Sequence, residues 1–64
     1  MTLSFTVPNL ACSACVETVT KAIHAVDATA QVSADTKTKA VTVATDASAA
    51  EIKQAIIDAG YTVA

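Results

Sequence analysis

Hydrophobic and polar positions change period repeatedly along the chain, and each change marks an element. In LSFTV, Leu3, Phe5 and Val7 alternate with Ser4 and Thr6, the pattern of a strand with one buried face. Pro8 ends that strand, because proline has no N–H to give to a ladder. Across about residues 13–26 the period lengthens. Val16, Val19, Ile23 and Val26 share one helical face, and Glu17, Lys21 and His24 lie on the other. Alternation returns in ATAQVSAD and KAVTVAT, where Ala30 and Val32 share a face of the first segment and Val41 and Val43 a face of the second. DTKT, residues 35–38, is short enough to join them as a hairpin, although it lacks an Asn-Gly signal. Ser48 followed by Glu51 is a capping box. Ile52, Ala55, Ile56 and Ala59 then repeat at helical spacing, with Ile57 off the stripe and Gly60 as the helix stop. YTVA, residues 61–64, reads as a last short strand.

The order β-α-β-β-α-β predicts an α+β fold, a ferredoxin-like sandwich with two helices on one face of a four-stranded antiparallel sheet. Residues 1–64 are expected to form a single domain. In this arrangement the turn after the first strand and the turn after the second helix lie at the same end of the sheet. Tyr61 is therefore expected near NLACSAC, residues 9–15.

Composition narrows the function classes. Hydrophobic residues make up 53% of the 64, but mostly as Ala and Val, with one Phe and one Tyr, so the core should be compact and leave no deep substrate pocket. Six acidic residues against four lysines give a net charge of −2. No basic stripe is available for nucleic acid or for an anionic membrane surface. No window approaches 18 apolar residues, so membrane insertion is not expected. The first ten residues lack the basic and apolar regions of a signal peptide, and the expected location is the cytoplasm, where thiols stay reduced.

Cys12 and Cys15 are the only cysteines, and in a reduced compartment a C-x-x-C pair reads as metal-binding or catalytic. A structural zinc site wants four ligands, and here there is one pair and one histidine. His24 lies nine residues beyond Cys15 on the same helix, ~13.5 Å further along its axis, and is expected to be a solvated surface residue. A thioredoxin-like redox pair would share the helix N-terminus, but the chain is short and has no Trp. Inert thiols would be poorly placed in a surface loop. Two thiolates alone suit a soft, low-coordination cation, and copper(I) fits that description. A helix N-terminus favours the negative charge of such a site. Its shallow position leaves room for an incoming thiolate, which suits transfer better than storage.

Cys12-Ser13-Ala14-Cys15 after a strand-ending loop, in a chain of this length and element order that closes on Ala59-Gly60-Tyr61, resembles the heavy-metal-associated domain family. The chain is similar in particular to the stand-alone copper metallochaperones of that family, and TVP, AC.AC, VTKA and AGY together resemble their cyanobacterial members. The resemblance implies that Cys12 and Cys15 bind copper(I). It also implies a protein without catalytic turnover, delivering copper by ligand exchange to the N-terminal soluble domains of a copper-transporting P-type ATPase. A metal-bridged homodimer is a further expectation, since each copy offers two exposed thiolates. The alternatives left open are a buffering or detoxification protein for soft metals and a small thiol-disulfide redox protein.

The loop departs from the usual family pattern of Gly-Met-Thr/His before the first cysteine. Asn9 tolerates positive φ and is expected to stand in for the glycine. Leu10 replaces the methionine that plugs the core, an exchange that keeps volume and apolarity. Ala11 offers no hard oxygen ligand where zinc- and cadmium-type relatives tend to carry Asp, which tilts the site toward copper(I). Tyr61, Ala11 and Ser13 are the candidate neighbours of the sulfurs. Tyr61 is expected either to anchor the last strand or to gate the site through its hydroxyl without coordinating. Lys21 and Lys53 are expected on solvated helix faces.

Overall fold

The computed structural model describes residues 2–64 and contains β1 (Thr2–Thr6), α1 (Ser13–Val26), β2 (Gln31–Asp35), β3 (Ala40–Ala44) and α2 (Ala49–Asp58). The strands form one antiparallel sheet in the order β1-β3-β2. Register explains why alternation was readable. Leu3 and Val32 both pair with Val43, and Phe5 and Ala34 both pair with Val41, so two rows of apolar side chains cross the same face. Both helices pack there. Val19 and Ile23 of α1 and Ile52 and Ile56 of α2 are fully buried with Val41, Val43, Val7 and Leu10. Each such burial contributes ~1.5–3 kcal/mol.

The expected fourth strand does not form; the described sheet has three strands. The terminal segment does lie beside β1, and Ala64 N donates to Thr6 O at 2.8 Å. Continuing that ladder would call on the N–H of residue 8, and Pro8 has none. The Thr62 N–H is taken by the Asn9 side chain, at 3.0 Å, instead of by backbone. The two helices on an antiparallel sheet are as expected, so the correction is confined to one edge.

Helix ends follow their local chemistry. Ser48 caps α2: its Oγ accepts from Glu51 N and donates to Glu51 Oε1, both at 3.2 Å. At the other end Gly60 has φ +96°, Gly60 N donates to Ile57 O at 2.9 Å and Tyr61 N donates to Ile56 O at 3.2 Å. These two bonds are a Schellman turn, which needs the left-handed glycine and folds the chain back along the helix end. The expectation for Val26 fails: it is 40% exposed, in an open groove between the two helices that it lines with Ala22, Ala25, Ala55, Asp58 and Ala59. Ile57, also expected off the stripe, is 43% exposed, and Lys21 and Lys53 are exposed. His24 is exposed too, but it is tethered, with Nε2 within 2.9 Å of Ala30 O, where it can donate.

Candidate metal centre

Between β1 and α1 the chain makes a β-turn over residues 7–10, closed by Leu10 N donating to Val7 O at 3.0 Å. Pro8 sits at the second position of the turn, where its fixed φ belongs. Asn9 does not have a positive φ, which among described non-glycine residues is found only at Lys39. The glycine stand-in reading is therefore wrong. Asn9 instead fastens the turn to the C-terminal segment through Thr62. Leu10 is completely buried in the main core, as its apolarity predicts.

Cys12 follows as the N-cap of α1 in extended conformation (φ −152°, ψ 169°), with no side-chain capping bond, and Cys15 is the third residue of the helix. This places both sulfurs on one side of the helix entrance. Both cysteines are free; Cys12 is exposed and Cys15 half-buried. The Sγ atoms are 3.0 Å apart. Two metal–thiolate bonds of ~2.3 Å in line need ~4.6 Å, so a linear ion requires the sulfurs to spread by ~1.6 Å. The exposed Cys12 side chain is free to make that rotation. Among the described residues no group of three or more His, Cys, Asp or Glu could hold a metal ion. Two sulfurs by themselves are too few for a closed tetrahedral site and enough for a soft two-coordinate cation.

The site also stabilises negative charge. The Cys15 thiol is lowered from 9.0 to about 7. The largest cause is a hydrogen bond from the Tyr61 hydroxyl, followed by Cys12 and the Ala11 backbone amide, against a smaller opposing effect of burial. Tyr61 is in turn raised above its ordinary value, first by that same bond to Cys15 and then by burial. Tyr61 packs against the core, but the last strand that it was expected to anchor does not form. Ala11 is brought to the site through its backbone. Ser13 is exposed and lines an open groove with Val16, Glu17 and the hairpin residues 33–37.

Sequence reasoning missed Lys39. Its Nζ donates to Leu10 O at 2.8 Å, and its own carbonyl accepts from Val7 N at 2.8 Å. The signal available was positional: the last residue of a four-residue hairpin loop favours a left-handed conformation, and a lysine there is out of the ordinary.

The heavy-metal-associated domain profile matches residues 4–62. No curated protein matches the chain. Among solved structures, the copper chaperone Atx1 from Synechocystis PCC6803, in a trimeric form of a histidine-to-tyrosine mutant, is 42% identical and superposes with a TM-score of 0.95, covering 97% of this chain and 98% of that one. The solution structure of a cyanobacterial copper metallochaperone, ScAtx1, is 42% identical over 100% of both chains, with a TM-score of 0.82. A gold binding protein is 37% identical with a TM-score of 0.89, covering 94% of this chain and 92% of that one. A profile match over nearly the whole chain, on a fold that carries its C-x-x-C pair at the entrance to the first helix, makes this chain a member of the heavy-metal-associated domain family.

Proposed function

We propose that this chain is a copper(I) chaperone of the cytoplasm, a binding and transfer protein without catalytic turnover. Cys12 and Cys15 are the ligands. The observation that carries the reading is the pair of free thiols 3.0 Å apart at the α1 N-terminus with no larger donor cluster among the described residues. The similarity to cyanobacterial copper chaperones supports it. Copper(I) binds as the thiol protons leave, without change of oxidation state. The lowered Cys15 thiol and the helix dipole favour the resulting anionic centre. The Cys12 side remains open, so a partner thiolate can add to the metal, one of the original sulfurs then leaves, and a second exchange completes the transfer. The expected recipients are the N-terminal soluble domains of a copper-transporting P-type ATPase. Because both sulfurs of one copy leave coordination positions free, a second copy can complete the metal in a bridged homodimer.

Titration of the reduced protein with copper(I) against a strong chelator tests this. One tightly held copper(I) is expected, lost in both Cys12→Ser and Cys15→Ser, followed by direct transfer to ATPase soluble domains. Tight binding without transfer would favour a buffering protein for soft metals, a reading to which similarity with a gold binding protein lends weight. Catalysed thiol-disulfide exchange by metal-free protein that holds no copper(I) would overturn both in favour of a redox protein.

A further inference from the structure

We propose that Lys39 is a positioning residue of the metal loop, holding the Leu10–Ala11 peptide plane so that the Ala11 N–H is presented to the sulfur site. The inference rests on the copper(I) reading for its consequence and on the geometry of residues 7–12 for its cause. Lys39 has φ +65°, the left-handed region that is strained for a side-chain-bearing residue and that glycine or asparagine would occupy with less strain. The hairpin sets this conformation: Asp35 pairs with Ala40 and the Asp35 carboxylate accepts from Lys37 N at 2.8 Å, leaving residues 36–39 as the loop. What lysine adds is reach. Its ammonium crosses 29 positions of sequence to the Leu10 carbonyl at 2.8 Å, and its backbone carbonyl holds Val7 N at the start of the same turn. One residue thus grips the turn at both ends.

The grip passes to the site through covalent geometry. In a planar trans peptide the C=O and N–H point in opposite directions. Fixing the Leu10 carbonyl toward Lys39 therefore fixes the Ala11 N–H away from it, and the Ala11 amide is one of the groups that lower the Cys15 thiol. The ammonium on the Leu10 carbonyl polarises that peptide and makes the Ala11 N–H on its far side a stronger donor. Its positive charge opposes the negative charge that two thiolates and one copper(I) leave at the site. Leu10 is buried and α1 begins three residues later, so the peptide has little other freedom once the carbonyl is held.

Lys39→Asn keeps a residue that accepts the left-handed conformation and removes the reach; Lys39→Arg restores a cationic donor. In reduced, metal-free Lys39→Asn, amide exchange at Ala11 is expected to quicken about tenfold, with the melting temperature within a few degrees of wild type. Copper(I) should be held about tenfold more weakly against the chelator. Lys39→Arg is expected to recover both. Wild-type Ala11 exchange in Lys39→Asn would overturn the inference, as would weaker copper binding that tracks a matching loss of melting temperature and is not rescued by arginine. The exchange measurement contains no copper, so it decides the role of Lys39 even if the wild-type protein holds none and the function proposed above fails.

Discussion

Thr62 donates its backbone N–H to the Asn9 side-chain oxygen at 3.0 Å, joining residues 53 positions apart and tying the segment that carries Tyr61 to the loop that carries Cys12. The Schellman turn at Gly60 sets the direction of that segment, and this bond sets where it ends up. Asn9→Ala should destabilise the reduced protein only slightly, ~0.5–1.5 kcal/mol for one exposed hydrogen bond. Its larger effect should be on the Tyr61–Cys15 contact, with the Cys15 thiol rising from about 7 toward its ordinary value. Thiolate absorbance against pH checks this, and a titration identical to wild type would show that the Asn9 bond does not position Tyr61.

Leu10 is the apolar plug beneath the cysteine loop, with no exposed surface. Leu10→Ala is expected to lose ~2–5 kcal/mol, since deletion leaves a cavity that the sheet and helices cannot fully fill. Leu10→Met, the residue usual in the family, should cost under ~1.5 kcal/mol. Urea unfolding of reduced, metal-free protein measures both. Equal midpoints for the two variants would contradict the plug assignment.

The legible parts of this chain were those whose cause lies within a few residues. Leu3, Phe5, Val41 and Val43 alternate because one sheet face is buried, and Ser48, Glu51 and Gly60 mark helix ends by local hydrogen bonds. Cys12 and Cys15 could be placed at a helix entrance for the same reason. The fourth strand was not legible, because its failure depends on Pro8 and on a side chain taking the Thr62 N–H, both visible only once β1 and the terminal segment are side by side. Val26 matches the helical stripe but lies in the open groove between the helices, where the facing apolar residues are the small Ala55 and Ala59 and leave it half uncovered. Asn9 and Lys39 bear on the loop through contacts spanning 53 and 29 positions, which no local pattern encodes.

Asp27, just past α1, binds the fold's other end. Its carboxylate accepts from Thr29 N, from Thr29 Oγ1 and from Thr45 Oγ1. The Thr45 hydroxyl, then the two Thr29 groups, lower its pKa from 3.8 to about 2. The folded state therefore binds fewer protons here than the unfolded chain, so this contribution is complete above about pH 4 and is lost as pH falls through about 2. Asp27→Asn should lower the melting temperature at pH 7 by about 4–8 °C and converge on wild type near pH 2. Melting curves across that range test the sign; a constant difference at all pH values would exclude the carboxylate as its source.

Tyr61→Phe removes the hydroxyl beside Cys15 and keeps the ring that packs on the core. The hydroxyl is the largest cause of the lowered Cys15 thiol, so its loss should carry that group up from about 7 toward 9 and slow alkylation at pH 7. In the wild type the folded state releases the Cys15 proton more readily than the unfolded chain, so stability of the reduced protein should rise as pH increases from about 7 to 9. Tyr61→Phe should flatten that rise. If the hydroxyl also gates the metal, copper(I) affinity or the rate of transfer to a partner domain will change with it, because the bond that stabilises free thiolate must be given up or re-formed as the metal comes and goes. A flattened pH profile with both copper measurements unchanged would leave Tyr61 as a modulator of the thiol and reject it as a gate.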